Sequence, residues 1–191
     1  TCELVAEILY HAAAEVDLSP DEADTLFAGI HVDTKGFTTR TGVRTFEAAS
    51  FLRRKGADPD SVRRLMAEDL ETFNRIAEVV RSAVFKENGV VFARAADTDP
   101  GARLVAAKAA DRLLNLSGIN ASFVFSVDAR GVTISARSNG SINVQVVMEY
   151  LDGGGHMTQA GVRLEGMPVE LAEMRVTEAL KQESRQEGKD R

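Results

Sequence analysis

Three successive glycines followed by a histidine are the strongest candidate for chemistry in this sequence: Gly153, Gly154, Gly155 and His156. Glycine adopts unusual φ values and lets a ligand approach the backbone closely. Successive backbone N–H groups can form a concave nest that binds a phosphate, and His156 would add a donor. The alternative is that the same residues form a flexible helix stop. Taken alone, the motif leaves both interpretations open.

A second candidate is the segment Ser135-Ala136-Arg137-Ser138, which ends a strand-like run. Side chains alternate between the two faces of a strand, so Ser135 and Arg137 should share a face. The planar guanidinium of arginine binds phosphate oxygens through two parallel hydrogen bonds. A solvated surface arginine is the alternative for Arg137 alone. Together with the glycine run in the same half of the chain, Arg137 indicates an anion site.

The first half contains one candidate metal ligand, Asp33, at the end of the apolar stretch that begins at Gly29. Carboxylates suit Mg²⁺ or Mn²⁺, which take oxygen ligands and some imidazole, and Thr34 could orient this carboxylate. His31 would share a face with Asp33 in an extended segment and would then be a second ligand. The alternative is an aspartate that caps the next loop. In that loop, Arg40 either binds an anion or is solvated.

Composition excludes several classes of protein. The 191 residues carry a net charge of −6 and one cysteine, Cys2. One cysteine excludes a disulfide scaffold and a cysteine-rich zinc site, and it fits a reducing, cytoplasmic setting. The acidic balance argues against duplex nucleic acid as a partner but permits a small phosphorylated ligand. No apolar run approaches the roughly 18 residues that span a bilayer, so no membrane contact is expected from this segment.

Hydrophobic periodicity predicts a helical first half over residues 1–68. The strongest signal is Ser19-Pro20-Asp21-Glu22, which combines a capping serine, an early proline and a glutamate at the third helical position. Another helix is predicted for 45–55 with Gly56 as its cap, and Asp58-Pro59 should begin the next one. A connecting helix is predicted from Asp69 to about Phe85 in the segment 69–87, because apolar residues recur there at helical spacing.

The second half, residues 88–182, mixes strands and helices. Strands are predicted at 90–94 and 162–164, and a hairpin joins 122–127 to 132–137 through Asp128-Ala129-Arg130-Gly131. Helices are predicted at 100–116, 143–151 and 168–182. The polar residues 183–191 are predicted to be a disordered tail. The whole pattern predicts a helical first half followed by a second half that mixes helices with a small sheet.

Several separated motifs, in this order, resemble the DHH phosphodiesterase family, and most closely its GdpP-type cyclic-di-AMP phosphodiesterases. The motifs are Cys2-Glu3-Leu4-Val5, Gly29 to Thr34, Arg40-Thr41-Gly42, Arg44-Thr45-Phe46, Ser135 to Ser138, Ile142-Asn143-Val144-Gln145 and Gly153 to His156. The resemblance covers almost the whole chain. It implies an α/β protein in which the C-terminal part of a DHH domain is joined by a connecting helix to a smaller DHH-associated domain with a mixed sheet.

The resemblance also implies an activity and its residues. Such enzymes hold two manganese ions and open cyclic-di-AMP to the linear dinucleotide pApA. Asp33 corresponds to a manganese ligand of the family, and Asp33 and His156 correspond to its catalytic residues. The substrate-phosphate loop falls on the residues from Gly153 to His156, and the substrate-binding arginine falls on Arg137. Ser135 and Asn143 are expected to contact substrate, and a homodimer is expected.

One departure from the family is the absence of the Asp-His-His triplet and of the other motifs that supply most metal ligands. In the family they lie upstream of the position of Thr1, so we expect this chain by itself to be inactive or nearly so. The resemblance also implies that its parent protein is anchored to the bacterial membrane. Two alternatives stay open. One is that the parent protein is an oligoribonuclease or linear-dinucleotide phosphodiesterase of the same superfamily. The other is that the chain is a non-catalytic nucleotide-binding module.

Overall fold

The computed structural model describes residues 1–12, 17–96 and 101–187, with side chains described to residue 185. The chain divides into two compact units, Thr1–Glu68 and Asp69–Arg191. Each unit is described by itself below.

The described part of the first unit consists of helices, as predicted. They are α1 (Cys2–His11), α2 (Pro20–Asp33), α3 (Val43–Arg54) and α4 (Pro59–Leu65). The capping box at Ser19 is present, because the Ser19 hydroxyl accepts from the Glu22 N–H and the Glu22 carboxylate accepts from the Ser19 N–H. Gly56 follows α3 with φ +104°, a conformation that glycine adopts without strain. The helices share one apolar core.

Helix α2 continues through His31 to Asp33, the segment for which the sequence allowed an extended conformation. Ile30 is buried in the apolar core that the helices share, and this burial keeps the turn around it helical. The helix stops at Thr34, whose buried hydroxyl donates to the Ile30 carbonyl at 2.7 Å and accepts from the Phe37 N–H at 3.0 Å. Thr34 therefore terminates the helix, and the prediction that it orients the Asp33 carboxylate is wrong.

The second unit contains a six-stranded mixed sheet with the strand order β1-β2-β3-β4-β6-β5. This confirms the predicted α/β class with a mixed sheet. Within the described residues, β2 and β3 pair in parallel and the other neighbouring strands pair antiparallel. The elements are α5 (Leu70–Arg81), β1 (Val84–Phe85), β2 (Val90–Ala96), α6 (Ala102–Leu114), β3 (Ala121–Asp128), β4 (Gly131–Ser138), α7 (Val144–Glu149), β5 (Gly154–His156), β6 (Gln159–Glu165) and α8 (Val169–Glu187).

The two faces of this sheet are covered differently. One face packs against α7 and α8 through residues of β2, β3, β4 and β6, for example Phe123 and Ile134. On the other face, α5 and α6 pack on β2 and β3, whose buried residues there include Val91 and Val124. On β4 the second face carries Thr133, Ser135 and Arg137, which are only partly buried. The second face therefore becomes polar beyond β3.

Two sequence predictions are wrong in the second unit. The connecting helix ends at Arg81, and Val84–Phe85 form β1 because they pair with β2. The tail predicted as disordered from residue 183 is helical to Glu187, while residues 188–191 lie outside the described part. Glu183 holds this part of α8 in place, since its carboxylate is buried and accepts from the Asn143 N–H at 2.8 Å. Among the described helices, none is long and apolar enough to cross a membrane.

An ion pair fixes the closed end of the β3–β4 hairpin. Both Asp128 oxygens accept from Nη2 of Arg163, at 2.7 and 2.9 Å, and Asp128 Oδ1 also accepts from the Arg130 N–H. Arg163 also donates to Thr133 and Glu165. The Arg163 hydrogen bond, followed by the Arg130 N–H, lowers the pKa of Asp128 to about 2. The pair therefore joins β6 to the hairpin.

The pH dependence of stability should reveal this pair. The folded pKa lies below the value near 3.9 of an unfolded aspartate, so the pair stabilises the fold fully above about pH 4 and loses this contribution as the pH falls toward 2. We expect Asp128→Asn to lower Tm at pH 7 and to flatten the fall of Tm between pH 5 and pH 2. Thermal unfolding measured by circular dichroism tests this, with exposed Asp152→Asn as the matched control. Identical Tm profiles for Asp128→Asn and wild type would contradict it.

Candidate functional site

Two rows of residues run across strands β4, β6 and β5 on the face that α7 and α8 do not cover. Arg137, Gln159 and His156 are successive cross-strand partners in the first row. In the neighbouring row, Ser135 lies opposite Gly161, which lies opposite Gly154. Directly opposed residues have Cβ atoms about 5 Å apart and share a face of the sheet. We call these six residues the glycine surface.

The glycine run forms an edge strand of the sheet, and its binding of a substrate phosphate stays a prediction. Gly154, Gly155 and His156 pair with β6. A Cβ on Gly155, where φ is +153°, would come 2.3 Å from the Gln159 carbonyl oxygen, and one on Gly153 would come 2.6 Å from that of Gly161. At Gly154, by contrast, a Cβ would meet nothing within 4 Å. The fold therefore requires Gly153 and Gly155 but leaves the space above Gly154 open.

Arg137 is held by the body of the protein. Its Nε donates to Asp111 Oδ1 at 3.3 Å and its Nη1 to the Ala136 carbonyl at 3.0 Å, and 15% of the side chain is exposed. Asp111 lies on α6, which also receives a hydrogen bond from Ser122, the β3 partner of Arg137. Neither bond of Arg137 uses Nη2. This nitrogen can donate to an anion without disturbing the bonds that orient the guanidinium.

His156 and Asn143, the other predicted substrate contacts near β5, have different environments. His156 is exposed at the end of β5. Asn143 is the N-cap of α7: its Oδ1 accepts from the Val146 N–H at 3.4 Å and its own N–H donates to Glu183. The next residue, Val144, donates to the carbonyl of Met157, immediately after β5. Asn143 thus has a structural role beside the site, and its contact with substrate stays a prediction.

The predicted metal ligands of the first unit do not come together. Asp33 and His31 lie in one helix, where a spacing of two residues points side chains to different sides. The Asp33 carboxylate is 63% exposed. His31 instead packs edge-to-face on Phe37 and lies beside Gly36. The prediction of a shared ligand face is therefore wrong.

The described residues do not fit a binuclear manganese site. They contain no group of three or more His, Cys, Asp or Glu side chains able to hold a metal ion. A two-metal centre needs several carboxylate or imidazole ligands around ions about 4 Å apart. Asp33 alone does not meet this requirement, so its role as a manganese ligand stays a prediction.

The glycine surface is distinct from the large cavities within the units. A cavity of about 610 Å³ lies along α1 and α3 and is lined by Tyr10, Arg44 and Phe51, among others. A second, of about 760 Å³, lies beside α8 and includes Phe85, Lys181 and Glu183. Neither is lined by a residue of the glycine surface. A ligand on this surface would lie against the sheet.

Sequence reasoning missed two residues of the glycine surface, Gln159 and Gly161. The sequence predicted the strand to begin at 162, because Val162 to Leu164 is its clearly apolar part. The structure starts β6 at Gln159, with Ala160, Val162 and Leu164 buried. Alternation extended back from Val162 through Ala160 would have placed Gln159 and Gly161 on the opposite, polar face.

Comparison with known proteins agrees with this architecture. The DHHA1 domain family matches residues 87–185, and the chain belongs to this family. A crystal structure of an exopolyphosphatase-related protein from Bacteroides fragilis has the same fold, with a TM-score of 0.83 and 22% identity over 95% of this chain and 56% of that chain.

Among curated proteins, the chain is similar to the cyclic-di-AMP phosphodiesterase GdpP of Geobacillus thermodenitrificans, with 46% identity over 181 residues, or 94% of this chain. It is 26% identical over 88% of its length to the bifunctional oligoribonuclease and PAP phosphatase NrnA of Thermus thermophilus. The chain spans 28% of the length of the first relative and 52% of the second. The resemblance to DHH and DHHA1 proteins seen in the motifs is thereby confirmed.

Proposed function

We propose that this chain is the substrate-binding part of a phosphodiesterase that hydrolyses cyclic-di-AMP to linear pApA. The observation that carries the proposal is the glycine surface, where an oriented arginine, an exposed histidine and an open glycine lie in two adjacent rows. Hydrogen-bond donors such as Arg137 and His156, next to a backbone that no side chain covers at Gly154, suit the binding of phosphate oxygens. The 46% identity to a cyclic-di-AMP phosphodiesterase supports the choice of ligand.

In this proposal the chain positions the phosphodiester and offsets its charge. The Arg137 Nη2 and the His156 imidazole donate to phosphate oxygens, and the space over Gly154 admits the phosphate close to the backbone. Charge on the phosphate oxygens increases as a phosphodiester is cleaved, so fixed donors also stabilise the transition state. Asp111 keeps the guanidinium in place before the ligand arrives.

The second candidate function is cleavage of short linear oligonucleotides, which the similarity to an oligoribonuclease favours. Both substrates present phosphodiesters and ribose to the same surface. Calorimetry with cyclic-di-AMP and with pApA separates the two. Tighter binding of the cyclic compound supports the first proposal, and a clear preference for pApA supports the second.

The 191-residue chain should bind cyclic-di-AMP, and His156→Ala should weaken that binding by roughly tenfold, because one hydrogen bond to a charged group is lost. Isothermal calorimetry measures the affinity. The Tm should be unchanged, since His156 is exposed. Equal affinity of His156→Ala and wild type would remove His156 from the site.

Metal should have no effect on nucleotide binding by this chain. The donors that face the phosphate are Arg137 and His156, and the described residues lack a metal-holding cluster. We expect the same cyclic-di-AMP affinity in EDTA and in Mn²⁺, with no pApA in the product analysis. A Mn²⁺-dependent gain in affinity, or turnover, would contradict this expectation and show that the chain supplies metal ligands in addition to Asp33.

We further propose, from the family resemblance, that the longer protein holds two manganese ions with Asp33 as one ligand. By the same resemblance it is anchored to the bacterial membrane with this segment in the cytoplasm, and it acts as a homodimer. Metal analysis and sedimentation of the longer protein test the ions and the dimer. Fractionation of cells tests the anchor.

A further inference from the structure

The geometry points to Gln159 as a specificity-determining residue that recognises the ribose 2′-hydroxyl next to the bound phosphate. This inference rests on the proposed function, because it names the part of the ligand that one further residue of the glycine surface contacts. Gln159 lies in the middle of the first row, with Arg137 on one side and His156 on the other.

The position of Gln159 brings it within reach of any ligand held by its two neighbours. Cross-strand partners stand about 5 Å apart at Cβ and point to the same side of the sheet. Gln159 is exposed, and within the described residues its carboxamide makes no hydrogen bond. Its donor and acceptor are therefore both available to a ligand.

Gln159, at the centre of the first row, differs from Arg137 in the hydrogen bonds that it can make. The Arg137 guanidinium only donates hydrogen bonds, which suits phosphate oxygens because these only accept. The Gln159 carboxamide both donates and accepts, so its oxygen needs a partner that phosphate does not offer. In a 3′,5′-linked ribonucleotide, the hydroxyl nearest the phosphodiester is the ribose 2′-OH, which is both donor and acceptor. A 2′-deoxy ligand would leave the Gln159 oxygen without this partner.

The neutral charge of Gln159 is also consistent with this role. A glutamate at the same place would offer an acceptor but would repel the phosphate that Arg137 and His156 bind. The amide places an acceptor beside an anion without that repulsion. Its N–H₂ can donate to a phosphate oxygen at the same time.

The test measures the affinities of cyclic-di-AMP and of its analogue lacking both 2′-hydroxyls for wild type and for Gln159→Met, which keeps the length of the side chain. We expect wild type to prefer the ribose form by about tenfold, as one lost hydrogen bond predicts. In Gln159→Met the preference for the ribose form should disappear, because cyclic-di-AMP loses about tenfold more affinity than its 2′-deoxy analogue. The matched control is Gln145→Met on α7, where Gln145 bonds to Glu149. It should keep the wild-type preference.

The outcomes distinguish a failure of the role of Gln159 from a failure of the proposed function. Binding by wild type without a preference for ribose, or an unchanged preference in Gln159→Met, overturns the role of Gln159 and leaves the proposed function in place. Binding of neither compound by wild type overturns the proposed function, and the role of Gln159 with it.

Discussion

Replacing Arg137 by alanine should reduce the affinity for cyclic-di-AMP by about 10- to 100-fold, since hydrogen bonds to charged groups contribute about 1.5 to 3 kcal/mol. The side chain is only 15% exposed and is oriented by Asp111, so little conformational entropy is lost when it binds an anion. Arg137→Lys should recover only part of the affinity, because an ammonium group cannot reproduce the planar fork. Calorimetry on the three proteins measures both effects.

The matched control for Arg137 is Arg175→Ala on α8. Arg175 is exposed, and α8 packs on the opposite face of the sheet, so the change removes the same charge away from the site. It should leave the affinity unchanged at moderate ionic strength, where charges more than about 10 Å away are screened. Equal losses in the two variants would show that net charge, rather than the glycine surface, attracts the nucleotide.

The second large effect is expected at Gly154, where alanine should abolish most nucleotide binding without destabilising the protein. A methyl group there meets no protein atom within 4 Å, and the residue does not have positive φ. The free energy of unfolding should therefore stay within about 0.5 kcal/mol of wild type. The methyl would occupy the space through which a phosphate reaches the backbone, and we expect an affinity loss of at least about tenfold.

Gly155→Ala provides the contrast. Its Cβ would lie 2.5 Å from the Ala160 Cα, and φ is +153°. Strain of this kind costs about 1 to 3 kcal/mol, so this variant should have a clearly lower Tm. Gly42→Ala, which adds a methyl in open space at φ −136°, controls for the substitution itself. Unaltered binding by Gly154→Ala would show that the phosphate does not approach this glycine.

Much of the fold follows from local patterns in the sequence. Side chains and backbone groups within three or four residues decide caps such as those of Ser19 and Asp58, so their residue types predict where the helices begin. The hairpin between β3 and β4 follows from two alternating runs around a short turn. For the same reason, the sharing of a face by Ser135 and Arg137 was predictable from a single strand.

Local patterns were insufficient wherever a distant partner decides the conformation. The burial of Ile30 keeps the segment before Asp33 helical, and a hydrogen bond from Asn143, 40 residues away, accompanies the burial of Glu183 in α8. Neither partner can be recognised from neighbouring residues. The sequence therefore left an extended conformation possible in the first case and predicted a disordered tail in the second.

The candidate site shows the same division. Residue chemistry alone identified Arg137, the glycines and His156, because phosphate binding requires donors and close backbone approach. Only the tertiary structure, through the strand order β4-β6-β5, inserts Gln159 between Arg137 and His156. Strand order depends on which backbones pair across long stretches of chain, and that pairing is set by the burial of whole faces of the sheet.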